Sequence, residues 1–146
     1  DRFGGWDWFA LQFDDGEELM LYLIRGDDGA YLTRSGSFVT AGGRTVPLDA
    51  DAFTFTPTGA SWTSPDTGAV YPAGWRIVVP GRGVDVIVRP RVAGAEMDTR
   101  ATTGIVYWEG AVTVTGSRPG VGFVELTNYD RLPFREEADG SRSSVR

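Results

Sequence analysis

Three carboxylates lie inside aromatic, strand-like segments, and their spacing bears on what chemistry the chain can perform. Asp7 sits in Gly5-Trp6-Asp7-Trp8-Phe9-Ala10-Leu11-Gln12-Phe13, and Glu109 in Tyr107-Trp108-Glu109-Gly110-Ala111-Val112. Glu125 follows in Gly122-Phe123-Val124-Glu125-Leu126-Thr127-Asn128-Tyr129. Side chains alternate across a strand, so Asp7 projects with Phe9, Leu11 and Phe13, and Glu109 with Tyr107 and Ala111. A carboxyl among apolar neighbours must be paired, hydrogen-bonded or protonated. Protonated, it is a general acid, and aromatic faces beside it can stabilise a cation. Asp7, Glu109 and Glu125 are therefore the candidate acids, and Trp6, Trp8, Tyr107, Trp108, Phe123 and Tyr129 the candidate ligand contacts. The competing reading is structural: Glu109 and Glu125, at matching positions of adjacent strands, brace the fold through Arg76, Arg89 or backbone groups.

Other chemistries have less support. The chain has no His and no Cys, which excludes His-based zinc sites, Ser-His-Asp or Cys-His triads and disulfides. The expectation is no metal and no cofactor. Two carboxylates at glycosidase spacing arise by accident in any ribbon of paired Glu residues. Asp14-Asp15-Gly16-Glu17 and Asp27-Asp28-Gly29 could attract calcium, but type I′ turn chemistry accounts for them. Gly81-Arg82-Gly83 lacks the strand-to-helix setting of a phosphate loop.

The elements that position these groups read as strands. At 146 residues, 41% hydrophobic, with 20 Gly and 8 Pro, the chain suits one globular domain with many tight turns. A net charge of −6 argues against a nucleic-acid surface, and no apolar run suits a transmembrane helix. All 14 basic residues are Arg, which fits a GC-rich genome or bidentate pairing to buried carboxylates. Alternation places strands at 6–13, 18–25, 30–40 (bending at Gly36), 44–48, 53–56, 75–79, 84–92, 96–100, 105–115 and 120–129, with a turn-rich crossing at 62–72. About ten antiparallel strands in hairpin order predict an all-β, up-and-down barrel, with a sandwich as rival. Leu19 to Ile24 is apolar on both faces, so one row must lie outside the interior and needs cover. The polar tail 131–146 is expected to fray.

Several phrases resemble the AttH-like and carotenoid 1,2-hydratase family. They are Gly5 to Phe13 with Glu18-Leu19-Met20-Leu21-Tyr22, Trp62-Thr63-Ser64-Pro65 with Thr67-Gly68, Tyr71-Pro72 with Trp75, Tyr107 to Val112, and Gly122 to Tyr129. The resemblance spans residues 5 to 129 and implies the second of two tandem lipocalin-like barrels. On that footing residues 1–4 are a remnant of the inter-barrel linker and 5–130 the barrel. Family members carry an Asp-Arg-Glu-Trp-Gly-like segment between barrels, of which only Asp1 and Arg2 correspond here. The chain thus looks like an excised piece holding part of a pocket.

The resemblance implies a pocket for an apolar, isoprenoid- or polyketide-like small molecule. It also implies a partner, either an N-terminal barrel (same chain or separate) or a second copy in a homodimer. Alternatives are an acid-catalysed hydratase or cyclase of carotenoid-hydratase or Diels-Alderase type, and a purely structural interaction domain. A bacterial protein, periplasmic or secreted, is the implied setting.

Overall fold

The computed structural model describes residues 3–132, and they form an almost purely antiparallel β fold. Twelve strands run in chain order: β1 (Phe3–Phe13), β2 (Glu18–Gly26), β3 (Tyr31–Val39), β4 (Thr45–Leu48), β5 (Thr54–Pro57), β6 (Ser61–Thr63), β7 (Val70–Pro72), β8 (Trp75–Val79), β9 (Val84–Pro90), β10 (Glu96–Asp98), β11 (Val106–Gly116) and β12 (Gly120–Thr127). The only helical pieces described are three 3-10 turns. The predicted polar tail falls mostly outside the described residues. Phe3 and Gly4, read from sequence as linker, already belong to β1.

Ten strands form one sheet in the order β4-β3-β2-β1-β12-β11-β9-β8-β5, with β10 added beside β11. The first and last long strands pair along Asp7↔Leu126 to Phe13↔Gly120, so the two ends of the domain meet at its centre. The sheet curls in the lipocalin manner, but its ladder does not close, because β4 and β5 are its two edges. The Ala50–Ala52 turn spans that gap, and the Arg34 guanidinium reaches across it to donate to the Phe53 carbonyl at 2.8 Å. Closure is thus made by side chains where a full barrel would use backbone bonds. The stretch read as a turn-rich crossing holds a small separate hairpin, β6–β7, capping one end.

Alternation sorts the faces as the pleat requires. On β1 the inward row is Asp7, Phe9, Leu11 and Phe13, and on β2 Leu19, Leu21, Leu23 and Arg25. The inward side is filled by a continuous buried cluster, in which Phe9 meets Trp75 edge-on at 5.2 Å and Phe55 at 5.0 Å. Burying so many aromatic and branched side chains is the main force holding the curl.

The two Asp-Asp-Gly turns share one geometry. Gly16 and Gly29 both have φ of +82°, and their N–H groups donate to Phe13 and Gly26 carbonyls. The Asp residues of these turns have ordinary negative φ, so the turns are type I followed by a left-handed glycine, and the type I′ expectation is corrected. Asp15 Oδ1 and Asp28 Oδ1 accept the backbone N–H of Glu17 and Ala30. The Arg118 guanidinium also binds Asp15 and Glu17, so this turn's carboxylates already hold a cation of the chain.

Candidate functional site

Asp7 is fully buried, and the fold surrounds it with donors from three separate segments. Arg25 Nε donates to Asp7 Oδ1 at 3.1 Å. Tyr31 Oη and Tyr129 Oη both donate to Asp7 Oδ2, at 2.9 and 3.1 Å. Arg25 Nη2 donates to the Thr127 carbonyl, and the guanidinium lies 4.1 Å from the centre of the Tyr129 ring. The Thr127 hydroxyl in turn accepts the Trp6 N–H at 2.8 Å, tying β12 to β1 just above the cluster.

Local sequence explains how this cluster assembles. Arg25 ends an apolar strand in phase with the inward leucines, so the pleat turns its charge inside. Asp7 stands opposite Leu23 in the β1–β2 ladder, one step from Arg25 on the same face. Gly5, which pairs with Arg25, has φ of +154°, and a Cβ there would sit 2.6 Å from the Thr127 carbonyl. Only glycine lets the β1 backbone pass that close to Thr127 and Arg25.

The electrostatics follow from burial. Loss of water pushes the Asp7 carboxyl above the ordinary Asp range, while the Arg25 charge and bonds from Tyr31, Arg25 and Tyr129 pull against that shift. Burial disfavours the Arg25 cation, but Asp7 beside it more than offsets this and leaves its pKa raised. Burial and the Asp7 charge together push the Tyr129 phenol well up, so it acts as a donor.

Glu109 and Glu125 lie on the other side of the sheet. They face each other directly across the β11–β12 ladder, both half-buried, with Trp8 opposite Glu125 on β1. Burial, then the neighbouring Glu109 charge, raise the Glu125 carboxyl, and the Trp6 indole N–H works against them. The expected Arg braces are absent: Arg76 pairs with Asp85 through bonds of 2.9 and 2.7 Å, and neither Glu has an ion-pair partner among the described residues. The reason is distance across the sheet, since Arg76 shares the outward face but stands on β8, three strands from β12 and paired with β9.

The predicted acids therefore do not share one site. Trp6, Trp8, Tyr107 and Phe123 join the Glu pair on the outer face, whereas Trp108 and Tyr129 turn inward. Met20, Tyr22 and Ile24 lie on that outer face too, so the second apolar row of β2 is outside the interior. Beside them Ala10, Met20, Val39, Val121 and Phe123 line a groove of about 360 Å³.

A larger cleft, about 460 Å³, opens at the end of the sheet where Tyr129 sits. Its walls come from the β2–β3 turn (Asp28, Gly29), the end of β5 (Pro57) and the loop after it (Ala60), the β6–β7 hairpin (Ala69, Val70, Pro72) and the segment after β12 (Tyr129, Asp130, Leu132). The hairpin is held by Glu96 of β10, whose carboxylate accepts the Ser64 hydroxyl at 2.6 Å and the Thr67 hydroxyl at 2.9 Å. Tyr71 of the hairpin packs between Trp62 at 5.9 Å and Tyr129 at 5.1 Å. Trp62 is only partly buried against the core.

Sequence reasoning missed Arg25, Tyr31, Glu96 and the hairpin's role. Only Arg25 left a signal, its phase with Leu19, Leu21 and Leu23. Tyr31 and Glu96 begin strands whose partners no local pattern names.

A curled, antiparallel, lipocalin-like sheet with a cleft at one end and a buried Asp7–Arg25 pair bonded by Tyr31 and Tyr129 defines the class. The AttH-like family model matches residues 1–129, and the chain belongs to that family. It is similar to the crystal structure of an AttH protein from Nitrosomonas europaea, with a TM-score of 0.79 and 38% identity over 88% of this chain and 39% of that one. It also resembles kievitone hydratase from Nectria haematococca in fold, with a TM-score of 0.69 and 20% identity over 87% of this chain and 40% of that one. The chain thus spans about two-fifths of the length of either protein. No curated protein matches it.

Proposed function

We propose that this domain is the ligand-binding barrel of an AttH-like protein, taking an apolar, isoprenoid- or polyketide-like molecule in the cleft beside Tyr129. The observation that carries this reading is the cleft itself. It measures about 460 Å³, within the range of small-molecule pockets, and is walled mainly by Pro, Ala, Val, Leu and Gly. The curled sheet's inward side is occupied by the buried cluster, so a ligand sits at its end and not at its centre.

The outer face of β1, β2, β11 and β12 is the docking side for a partner, with an N-terminal lipocalin-like barrel as first choice and a second copy as the other. Half-buried Trp6, Trp8, Tyr22 and Met20 and the exposed Val121 and Phe123 support this assignment.

A second reading is acid-catalysed hydration or cyclisation with Asp7 as the proton source. It is favoured by one relationship: Asp7 has a raised pKa and is bonded to Tyr129, which lines the cleft. Asp7 itself is sealed, so a proton would pass through one of the two tyrosine hydroxyls bonded to it, of which Tyr129 belongs to the cleft.

The test is displacement of a fluorescent apolar probe by isoprenoid hydrocarbons, with Val70→Trp filling the cleft mouth. Val70 is 40% exposed, so a folded variant that no longer binds supports the cleft, and unchanged binding places the ligand elsewhere. Turnover of an alkene substrate that survives Asp7→Asn and Tyr129→Phe would remove the catalytic reading.

A further inference from the structure

One cross-strand row on the outer face of the sheet runs Tyr22, Trp8, Glu125 and Glu109, across β2, β1, β12 and β11. The next row carries Met20, Ala10 and Phe123, and the groove of about 360 Å³ opens there. Glu125 and Phe123 are two residues apart on β12, which sets the carboxylate pair about 7 Å from the groove on the same face. Both carboxylates are half-buried, and the Glu109 charge acts directly on Glu125.

The described residues offer this pair no cation. Arg76 is held by Asp85 at 2.9 and 2.7 Å. Arg91, whose backbone N–H donates to the Ala111 carbonyl on β11, sends its guanidinium away from Glu109 to the Thr113 hydroxyl at 3.2 Å. Arg89 stands opposite Thr113, four residues along β11 from Glu109, or about 13 Å. Opposed like charges on an apolar face destabilise the free domain, and a cation carried by whatever covers the face offsets them.

The face therefore specifies its occupant. The apolar rows call for an apolar surface, the groove for a projecting aliphatic side chain, and the carboxylates for a positive charge. A guanidinium suits the pair better than an ammonium, because its planar fork donates to carboxylates while its flat side lies on an aromatic ring such as Trp8. A second copy does not match. A two-fold axis through the patch would set one Glu pair against the other, on chains that each carry a net charge of −6.

Resting on the docking reading above, we infer that the partner of this face is a basic, apolar protein surface, which sets an arginine between Glu109 and Glu125 and an aliphatic side chain in the groove beside Phe123.

The test uses the 146-residue chain and a blocked peptide, acetyl-Leu-Ser-Arg-Ser-Leu-amide, whose Leu and Arg side chains project on one side about 7 Å apart when extended. A twin peptide carries citrulline, the neutral isostere of Arg, and binding is followed by amide chemical shifts. The Arg peptide should bind about tenfold tighter than its twin, the value of a charge-assisted hydrogen bond, with shifts at Met20, Glu109, Phe123 and Glu125. That advantage should vanish in the Glu109→Gln/Glu125→Gln double variant and shrink in about 1 M salt, the rest of the spectrum confirming the fold. Equal affinity for the two peptides overturns the arginine site and leaves an apolar docking face. Shifts confined to the cleft beside Tyr129, or no binding by either peptide, overturn the docking reading and this one with it. A stable dimer of the unaltered chain in sedimentation also overturns it, because a second copy then covers the face.

Discussion

Tyr129 Oη donates to Asp7 Oδ2 at 3.1 Å although the two lie 122 positions apart in the chain, and Tyr129 also lines the cleft. This one side chain links the buried ion pair to the cleft. The β1–β12 pairing makes the link possible, because it brings the two ends of the domain side by side.

The Asp7–Arg25 pair should be strongly coupled. Arg25→Ala leaves a carboxylate buried without its cation, at a cost of roughly 3 to 5 kcal/mol, read from urea unfolding at neutral pH. The loss should shrink in acid, where Asp7 takes up a proton. A double-mutant cycle with Asp7→Asn that shows no coupling would refute the pairing.

Stability should fall as pH rises above the ordinary Asp range. The folded pKa of Asp7 is raised above its unfolded value, so its contribution is complete below about pH 4 and is lost as pH climbs through the folded pKa. Glu125 is raised too and acts in the same direction. Asp98, held at about 2 by Arg100, has the opposite sign, but that pair is exposed and contributes little. Unfolding followed from pH 4 upward should show a declining slope that Asp7→Asn flattens; an unaltered slope would contradict it.

Removing one charge of the outer carboxylate pair should stabilise the isolated domain. Directly opposed like charges cost roughly 0.2 to 1 kcal/mol, and no cation offsets Glu109 and Glu125 among the described residues. Glu125→Gln should therefore raise the melting temperature at pH 7 and have less effect near pH 4. A marked loss of stability would instead reveal a partner charge.

Gly5→Ala should be among the most damaging small substitutions. Its φ of +154° and the 2.6 Å approach to Thr127 combine backbone strain with a steric clash, for a loss of about 2 kcal/mol. Thermal unfolding measures it, and a neutral result would mean that β1 does not run this close to Thr127.

Glu96→Ala should release the β6–β7 hairpin. It removes the acceptor for both Ser64 and Thr67. Hydrogen exchange should then quicken at residues 61–72 while β1 and β12 keep their protection. Uniform acceleration would mean that the hairpin is not an independent wall of the cleft.

Much of this domain was readable residue by residue because the β pleat is a local rule. Parity alone put Asp7 with Phe9, Leu11 and Phe13, split Leu19, Leu21 and Leu23 from Met20, Tyr22 and Ile24, and set Glu109 beside Tyr107 and Ala111. The hairpins and the all-β class followed from the same alternation with its turn residues. Only tertiary structure decided which groups meet. Asp7 found Arg25, Tyr31 and Tyr129 through the pairing of β1 with β2 and β12, and Glu96 found Ser64 and Thr67 across the end of the sheet. Those choices depend on register, on curl and on burying a charge beside its partner, energies that arise between segments far apart in the chain. The same long-range balance left the sheet open between β4 and β5 and put Asp7 and the Glu109–Glu125 pair on opposite faces.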